Sequence, residues 1–198
     1  MKRDDTMKKT VRHLLLALLA TFPTAQAAGP TAQALAFTCA GCHGTDGSSV
    51  GPSSPSIAGM DPDVFVDAML DYKNERRSST IMKRIALGYT DEQIREMGFF
   101  FYRQPLRVKP QQTDPEMVAL GKSLHDSYCE KCHEEGGRPG DAGTLAGQWM
   151  PYLEHAMSDY LNDQRRWPRK MERKVKEVVK AEGERAIPAL IQYYGSQN

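Results

Sequence analysis

Cysteine is scarce in this 198-residue chain: there are four, standing in two pairs. Long apolar runs are missing too. The run from Leu14 to Ala20 falls far short of the roughly 20 residues a helix needs to span a bilayer. No later stretch is long enough either, which argues against a membrane anchor in the mature protein. A strong charge of either sign is absent, with a formal net charge of +1, so nothing general points to nucleic acid or an anionic membrane. There is no Gly-x-Gly-x-x-Gly fingerprint and no Ser/His/Asp set, so flavin or hydrolytic chemistry would have to reside on another chain. Alternating apolar patterns are lacking as well, and the predicted class is all-α.

What the chain does have is Cys-x-x-Cys-His, twice: Cys39-Ala40-Gly41-Cys42-His43 and Cys129-Glu130-Lys131-Cys132-His133. Met82 follows His43 by 39 residues, and Met171 follows His133 by 38. A c-type haem needs these groups in this order. Two thiols (Cys39 with Cys42, Cys129 with Cys132) form thioether bonds, the adjoining imidazole (His43, His133) takes one axial face of the iron, and a distant thioether (Met82, Met171) can take the other. Paired Cys-x-x-Cys units also bind zinc, but zinc ribbons require neither a His beside each second Cys nor the repeated Met. Two covalently bound haem c groups are therefore expected, with no cysteine left for a disulfide. A coordination sphere closed by Met raises the potential and suits electron transfer. It argues against a self-sufficient dihaem peroxidase or thiosulfate-oxidising enzyme, which needs an open iron or a different ligand.

The first 27 residues have a basic head (Lys2, Arg3, Lys8, Lys9, Arg12), a short apolar core and an Ala25-Gln26-Ala27 end. This is the pattern of a secretory signal peptide cleaved after Ala27, with Ala28 as the alternative, and the export it implies, together with the haem motifs, points to the periplasm. The remainder carries 21 basic and 23 acidic residues, about −2.

The repeat extends beyond the motifs. Ala68-Met69-Leu70-Asp71-Tyr72-Lys73-Asn74 corresponds to Ala156-Met157-Ser158-Asp159-Tyr160-Leu161-Asn162 at an offset of 88 residues. Arg76-Arg77 is paired with Arg165-Arg166 at an offset of 89, as Met82 is with Met171. Ile57-Ala58-Gly59 echoes Leu145-Ala146-Gly147, and Pro62 echoes Pro151. A polar, Pro-punctuated stretch at 105–113 reads as a linker between a first domain, 28–104, and a second, 114–198. Each half is small for a free-standing core, so haem is expected to supply apolar mass that folding needs.

Helices are expected over 31–42, from Pro62 behind an Asp61 cap with Phe65, Met69 and Tyr72 inward, and over 91–103 behind a Thr90/Gln93 capping box. Others are expected from Pro115 to the second motif, from Pro151, over 171–182 and over 186–195, where Pro188 fits only near a helix start. The carbonyls of Pro52 and Pro139 are candidate acceptors for the second ring nitrogens of His43 and His133, with plain loop turns as the alternative. Met69 and Met157 match across the repeat but read as packing, and His125 and His155 as non-ligands. Tyr72, Tyr160, Trp149, Arg76 and Arg165 are equally consistent with haem contact and with ordinary core or surface roles. The charged run from Arg165 to Lys180 reads as a solvated helix face.

The chain resembles the dihaem cytochrome subunit of flavocytochrome c sulfide dehydrogenases. The likeness rests on Cys39–Gly44, Val50-Gly51-Pro52-Ser53-Ser54-Pro55-Ser56-Ile57-Ala58, Met60-Asp61-Pro62 and Ser79-Thr80-Ile81-Met82. In the second half it rests on Leu124-His125-Asp126, Tyr128–His133, Leu145-Ala146-Gly147-Gln148-Trp149 and Ala181-Glu182-Gly183. Trp167-Pro168-Arg169-Lys170 departs from the family pattern. The resemblance implies two cytochrome-c-like domains related by a pseudo-twofold axis, in a heterodimer with an FAD-containing flavoprotein. Sulfide would be oxidised on that partner, and electrons would pass through the haems to an external acceptor such as a c-type cytochrome. The alternative is a free dihaem carrier delivering electrons to a terminal oxidase.

Overall fold

The computed structural model describes residues 29–197, so the expected signal peptide and its cleavage site lie outside the described residues. The described residues form helices and no strands, as an all-α fold of tandem cytochrome c domains requires. None of these helices is long and apolar enough to cross a membrane.

The first half starts with α1, Ala32–Ala36, whose cap Thr31 accepts a hydrogen bond from the Ala34 amide. One 3-10 turn, Phe37–Cys39, leads into α2, Ala40–His43. The expected 31–42 helix is therefore three short segments. α3 spans Pro62–Lys73, and the Asp61 carboxylate accepts from the amides of Asp63 and Val64. That cap satisfies donors a helix start leaves free, and proline at the first position loses nothing. After the short α4, Met82–Ala86, comes α5, Asp91–Tyr102, with both bonds of the Thr90/Gln93 capping box in place. Ile94, Met97, Gly98 and Phe101 recur at three- and four-residue spacing on its buried face. They meet Leu35 and Ala36 of α1 and Phe65, Val66 and Met69 of α3 in one apolar cluster.

The second half builds a separate cluster by the same logic. α6, Pro115–Leu124, is capped by Asp114 and runs into a π-helical turn, His125–Cys129. α7 spans Met150–Leu161, α8 Arg169–Glu182 and α9 Ala186–Ser196. Pro188 is the third residue of α9, where its missing N–H is not needed. α9 crosses α6 so closely that a Cβ on Gly121 would sit 2.0 Å from the Ala189 carbonyl oxygen. Only glycine allows that approach. Leu124, Leu153, Val178 and the α9 face Ala186, Ala189, Leu190, Ile191, Tyr193 and Tyr194 make the core.

Duplication is visible in the backbone. Ile57 and Ala58 both donate to the Gly47 carbonyl, and Leu145 and Ala146 both donate to the Gly137 carbonyl. Glu75 (φ 58°) and Asp163 (φ 56°) take the same left-handed turn after their helices. The guanidinium of Arg77 lies 4.7 Å from the Tyr72 ring centroid, and that of Arg165 lies 4.4 Å from Tyr160. These pairs place Arg77, not Arg76, opposite Arg165, which corrects the sequence register. The one-residue drift falls later, between these arginines and the two methionines. Arg77 and Arg165 themselves form an isolated antiparallel bridge, and the Ser78 amide donates to the Gln164 carbonyl at 2.9 Å. A residue that pairs with its own counterpart marks a local pseudo-twofold axis.

Residues 105–113 contain no helix but are pinned along their length. The Arg107 guanidinium pairs with Asp46 at 3.2 Å, and its amide donates to Ser48 Oγ. Gln111 donates to the Gln148 carbonyl and accepts from the Met150 amide, both at 2.9 Å.

Candidate haem sites

Each Cys-x-x-Cys-His unit sits where a short helical segment ends. Cys39 closes the 3-10 turn and is half-buried, Cys42 is exposed, and His43 is buried at the end of α2. Cys129 closes the π-helical turn and is half-buried, while Cys132 is exposed. All four thiols are free. Burial pushes Cys39 and Cys129 above the usual thiol range. Burial also pulls the imidazoles of His43 and His133 below their ordinary value. Both rings are therefore held neutral, the form that offers a lone pair to a metal.

The first site is oriented by the chain itself. His43 Nδ1 lies 2.8 Å from the carbonyl oxygen of Pro55. A carbonyl only accepts, so Nδ1 carries the proton and Nε2 is left as the ligand atom. The acceptor is Pro55, not the expected Pro52, which is exposed in the Gly51–Ser54 turn. In the second site Pro139 is exposed and is not an acceptor, and His133 Nδ1 is buried without a partner. The reason is loop length. The path from His133 to Leu145 is two residues shorter than that from His43 to Ile57. It also turns immediately through left-handed Glu135, Gly136 and Gly137.

The two sulfurs are also placed differently. Met82 opens α4 and packs against the first core, whereas Met171 is the third residue of the charged helix α8 and is half-buried. Each thus stands in the first turn of a helix and not in a loop. Met69 and Met97 are buried core residues, and Met117 and Met150 flank the second core, as packing roles require. His125 is fully buried with both nitrogens engaged, Nδ1 with the Tyr194 hydroxyl at 3.0 Å and Nε2 with the Glu130 carboxylate. His155 is exposed. Arg76 pairs with Asp71 at 2.7 Å, and Tyr160 stacks on Trp167 with centroids 4.5 Å apart. The run from Arg165 to Lys180 is laced by ion pairs such as Lys176–Glu172 and Lys174–Glu177, both 2.6 Å, as a solvated face should be.

Two features of the surroundings were not foreseen. Arg77 is buried, donates to the Tyr152 hydroxyl at 3.1 Å, and leaves its Nε without an acceptor. Its burial beside Tyr72 breaks the rule that exposed-looking arginine pairs are solvated, and only the repeat hinted at it. Gln148 and Trp149 reach across to the loop that carries Pro55. The cue for Gln148 was that its repeat counterpart is Met60, a polar residue where the echo is apolar.

These residues fit haem c. Each half joins two thiols to a neutral imidazole, buried at His43 and half-buried at His133, and the orphaned Arg77 Nε calls for an anionic acceptor of the kind a propionate provides. Zinc fits less well. Among the described residues, the one group of three or more possible metal donors within 4.8 Å of one another is His125, Asp126 and Glu130, which includes neither cysteine pair.

No protein-family model matches the chain. It is 31% identical over 167 residues to the cytochrome c4 of Pseudomonas aeruginosa, a match covering 78% of this chain and 82% of that protein. It is 48% identical over 67 residues to the cytochrome subunit of sulfide dehydrogenase of Chlorobaculum tepidum, covering 34% and 60%. A third relative, the cytochrome c4 of Thiocapsa roseopersicina, is 31% identical over 130 residues, covering 62% and 64%. The chain thus spans less than two-thirds of the length of the last two. Its fold is similar to the crystal structure of reduced cytochrome c4 from Pseudomonas stutzeri, with a TM-score of 0.70 at 23% identity, over 86% of this chain and 100% of that one.

Proposed function

This chain belongs to the cytochrome c4 family, and we propose that within it the chain serves as the electron-transfer subunit of a sulfide-oxidising assembly. It takes electrons from an FAD-containing flavoprotein and passes them to an external acceptor such as another c-type cytochrome. Its cofactors are two covalently bound haem c groups, which supply one-electron exchange at iron when bound. The observation that carries the reading is the repeated unit itself: in each half, two thiols adjoin an imidazole, buried at His43 and half-buried at His133, that its surroundings hold neutral.

In this reading Cys39, Cys42, Cys129 and Cys132 hold the two groups through thioether bonds. His43, Met82, His133 and Met171 would supply the protein ligands to the two irons. The domains 28–104 and 114–198 each enclose one haem, and residues 105–113 join them. The Pro55 carbonyl keeps the His43 ring in one tautomer, so no proton competes for Nε2. The apolar cores formed by Phe65, Met97 and Phe101 in one half and Leu124, Leu190 and Tyr194 in the other exclude water from the interior of each half. Substrate chemistry lies with the partner, and the protein works in the periplasm after export. The likeness to a sulfide dehydrogenase subunit supports this assignment. The longer match to a cytochrome c4 favours a second reading, a free dihaem carrier serving a terminal oxidase.

Purification from the native host separates the two. The first reading expects an FAD-containing subunit to copurify and sulfide to reduce the haems. A flavin-free protein that sulfide leaves oxidised, but whose reduced form a membrane oxidase reoxidises, would establish the second.

A further inference from the structure

The loop that orients His43 is held from the other half of the molecule. Gln148, only 1% exposed, forms a cyclic pair with the residue after Pro55. Its Oε1 accepts from the Ser56 amide at 2.8 Å, and its Nε2 donates to the Ser56 carbonyl at 3.0 Å. The next residue, Trp149, donates from its indole to the Ser49 carbonyl at 3.2 Å. Ser49 closes the circuit: its amide donates to Ser56 Oγ at 3.1 Å, and its hydroxyl donates to the Cys42 carbonyl at 3.3 Å. Gln148 is itself fixed, because its backbone carbonyl accepts from Gln111 and its Oε1 also accepts from the Trp149 amide. A continuous set of hydrogen bonds, buried at Gln148 and Ser56, therefore runs from the second half to the peptide beside the His43 imidazole of the first.

We propose that Gln148 is a positioning residue for His43, holding the Pro55 carbonyl on Nδ1 and so setting how strongly this imidazole donates to the first iron. The inference rests on the reading of His43 as an axial ligand. An acceptor held on Nδ1–H makes the ring more basic and favours the oxidised metal. The repeat contains its own control. The counterpart of Gln148 is Met60, whose side chain has no N–H to donate, and the Nδ1 of His133 has no acceptor. The coupling thus runs one way, from the second half to the first.

The test is Gln148→Leu in the intact holoprotein, which keeps the volume and deletes both bonds to Ser56. Paramagnetic proton NMR through a redox titration follows each haem separately. The expected result is a higher potential and displaced ring-methyl resonances for the haem on Cys39 and Cys42, with the haem on Cys129 and Cys132 unchanged. Two unchanged haems, or two shifted equally, would overturn the proposal. If the leucine variant does not accumulate, Trp149→Phe removes one bond to the same loop and leaves an aromatic ring in its place. A smaller shift in the same direction supports the coupling, and no shift contradicts it. A wild-type protein without two thioether-bound haems would instead overturn the ligand reading and this inference with it.

Discussion

The two halves share a sequence plan yet differ in how much of the haem site the polypeptide builds for itself. In the first, the proximal ring is already tied to Pro55 and Met82 already packs against the core. In the second, His133 Nδ1 is orphaned, and Met171 rides on a helix whose outer face is charged. The second half invests in its helix crossing instead, where α6 and α9 touch at Gly121. Duplication kept the order of the proposed ligands and let the loops diverge, so the chain orients the candidate residues of one half more closely than those of the other.

The sharpest way to test this difference is at the glycines. Gly121→Ala would force a Cβ to 2.0 Å from backbone that cannot yield. It should cost about 3 kcal/mol or more, seen as a lower denaturant midpoint for the second half. Gly98→Ala meets its nearest atoms only at 3.3 Å, and a gain in helix propensity of about 1 kcal/mol offsets the crowding. Its midpoint should barely move. Equal losses from the two variants would erase the contrast.

Next come the sulfurs. Met82→Leu should open one iron to carbon monoxide, and Met171→Leu the other, while the wild-type protein binds none. An unchanged, unreactive spectrum would remove that methionine from the ligand set.

The smallest effect concerns the contact between the halves. Burial, the largest influence, pushes the Tyr72 hydroxyl from its ordinary value of 10.0 up to about 12, against the pull of Arg77. A raised value means that the folded protein favours the protonated form more than the unfolded chain does. This stabilisation is full below pH 10.0 and is lost as the pH climbs towards about 12. The loss is at most about 3 kcal/mol. Tyr72→Phe should flatten the alkaline fall of the melting temperature over that window. An equally steep fall would show that Tyr72 does not report on the contact.

Much of this was legible in the sequence because local chemistry decides it. Asp61, Thr90 and Asp114 cap the helices they should, and prolines 62, 115, 151 and 188 all lie in first turns. The cysteines and histidines announced themselves by spacing alone. What stayed hidden depends on tertiary geometry. Which proline carbonyl reaches His43 is settled by the course of a twelve-residue loop, and Pro52 and Pro55 look alike in a string. The register of the arginines was ambiguous because Arg76-Arg77 and Arg165-Arg166 are both doublets. It took the shared left-handed turn at Glu75 and Asp163 to settle it. Gln148 acts across 92 residues of chain, a distance that no local pattern encodes.

Mass spectrometry of protease-digested holoprotein tests the central claim of two covalently held haems most directly, because thioether bonds survive unfolding and digestion. One haem is expected on the peptide containing Cys39 and Cys42, and one on the peptide containing Cys129 and Cys132. A haem on only one of them, or unmodified cysteines on both, would contradict the account.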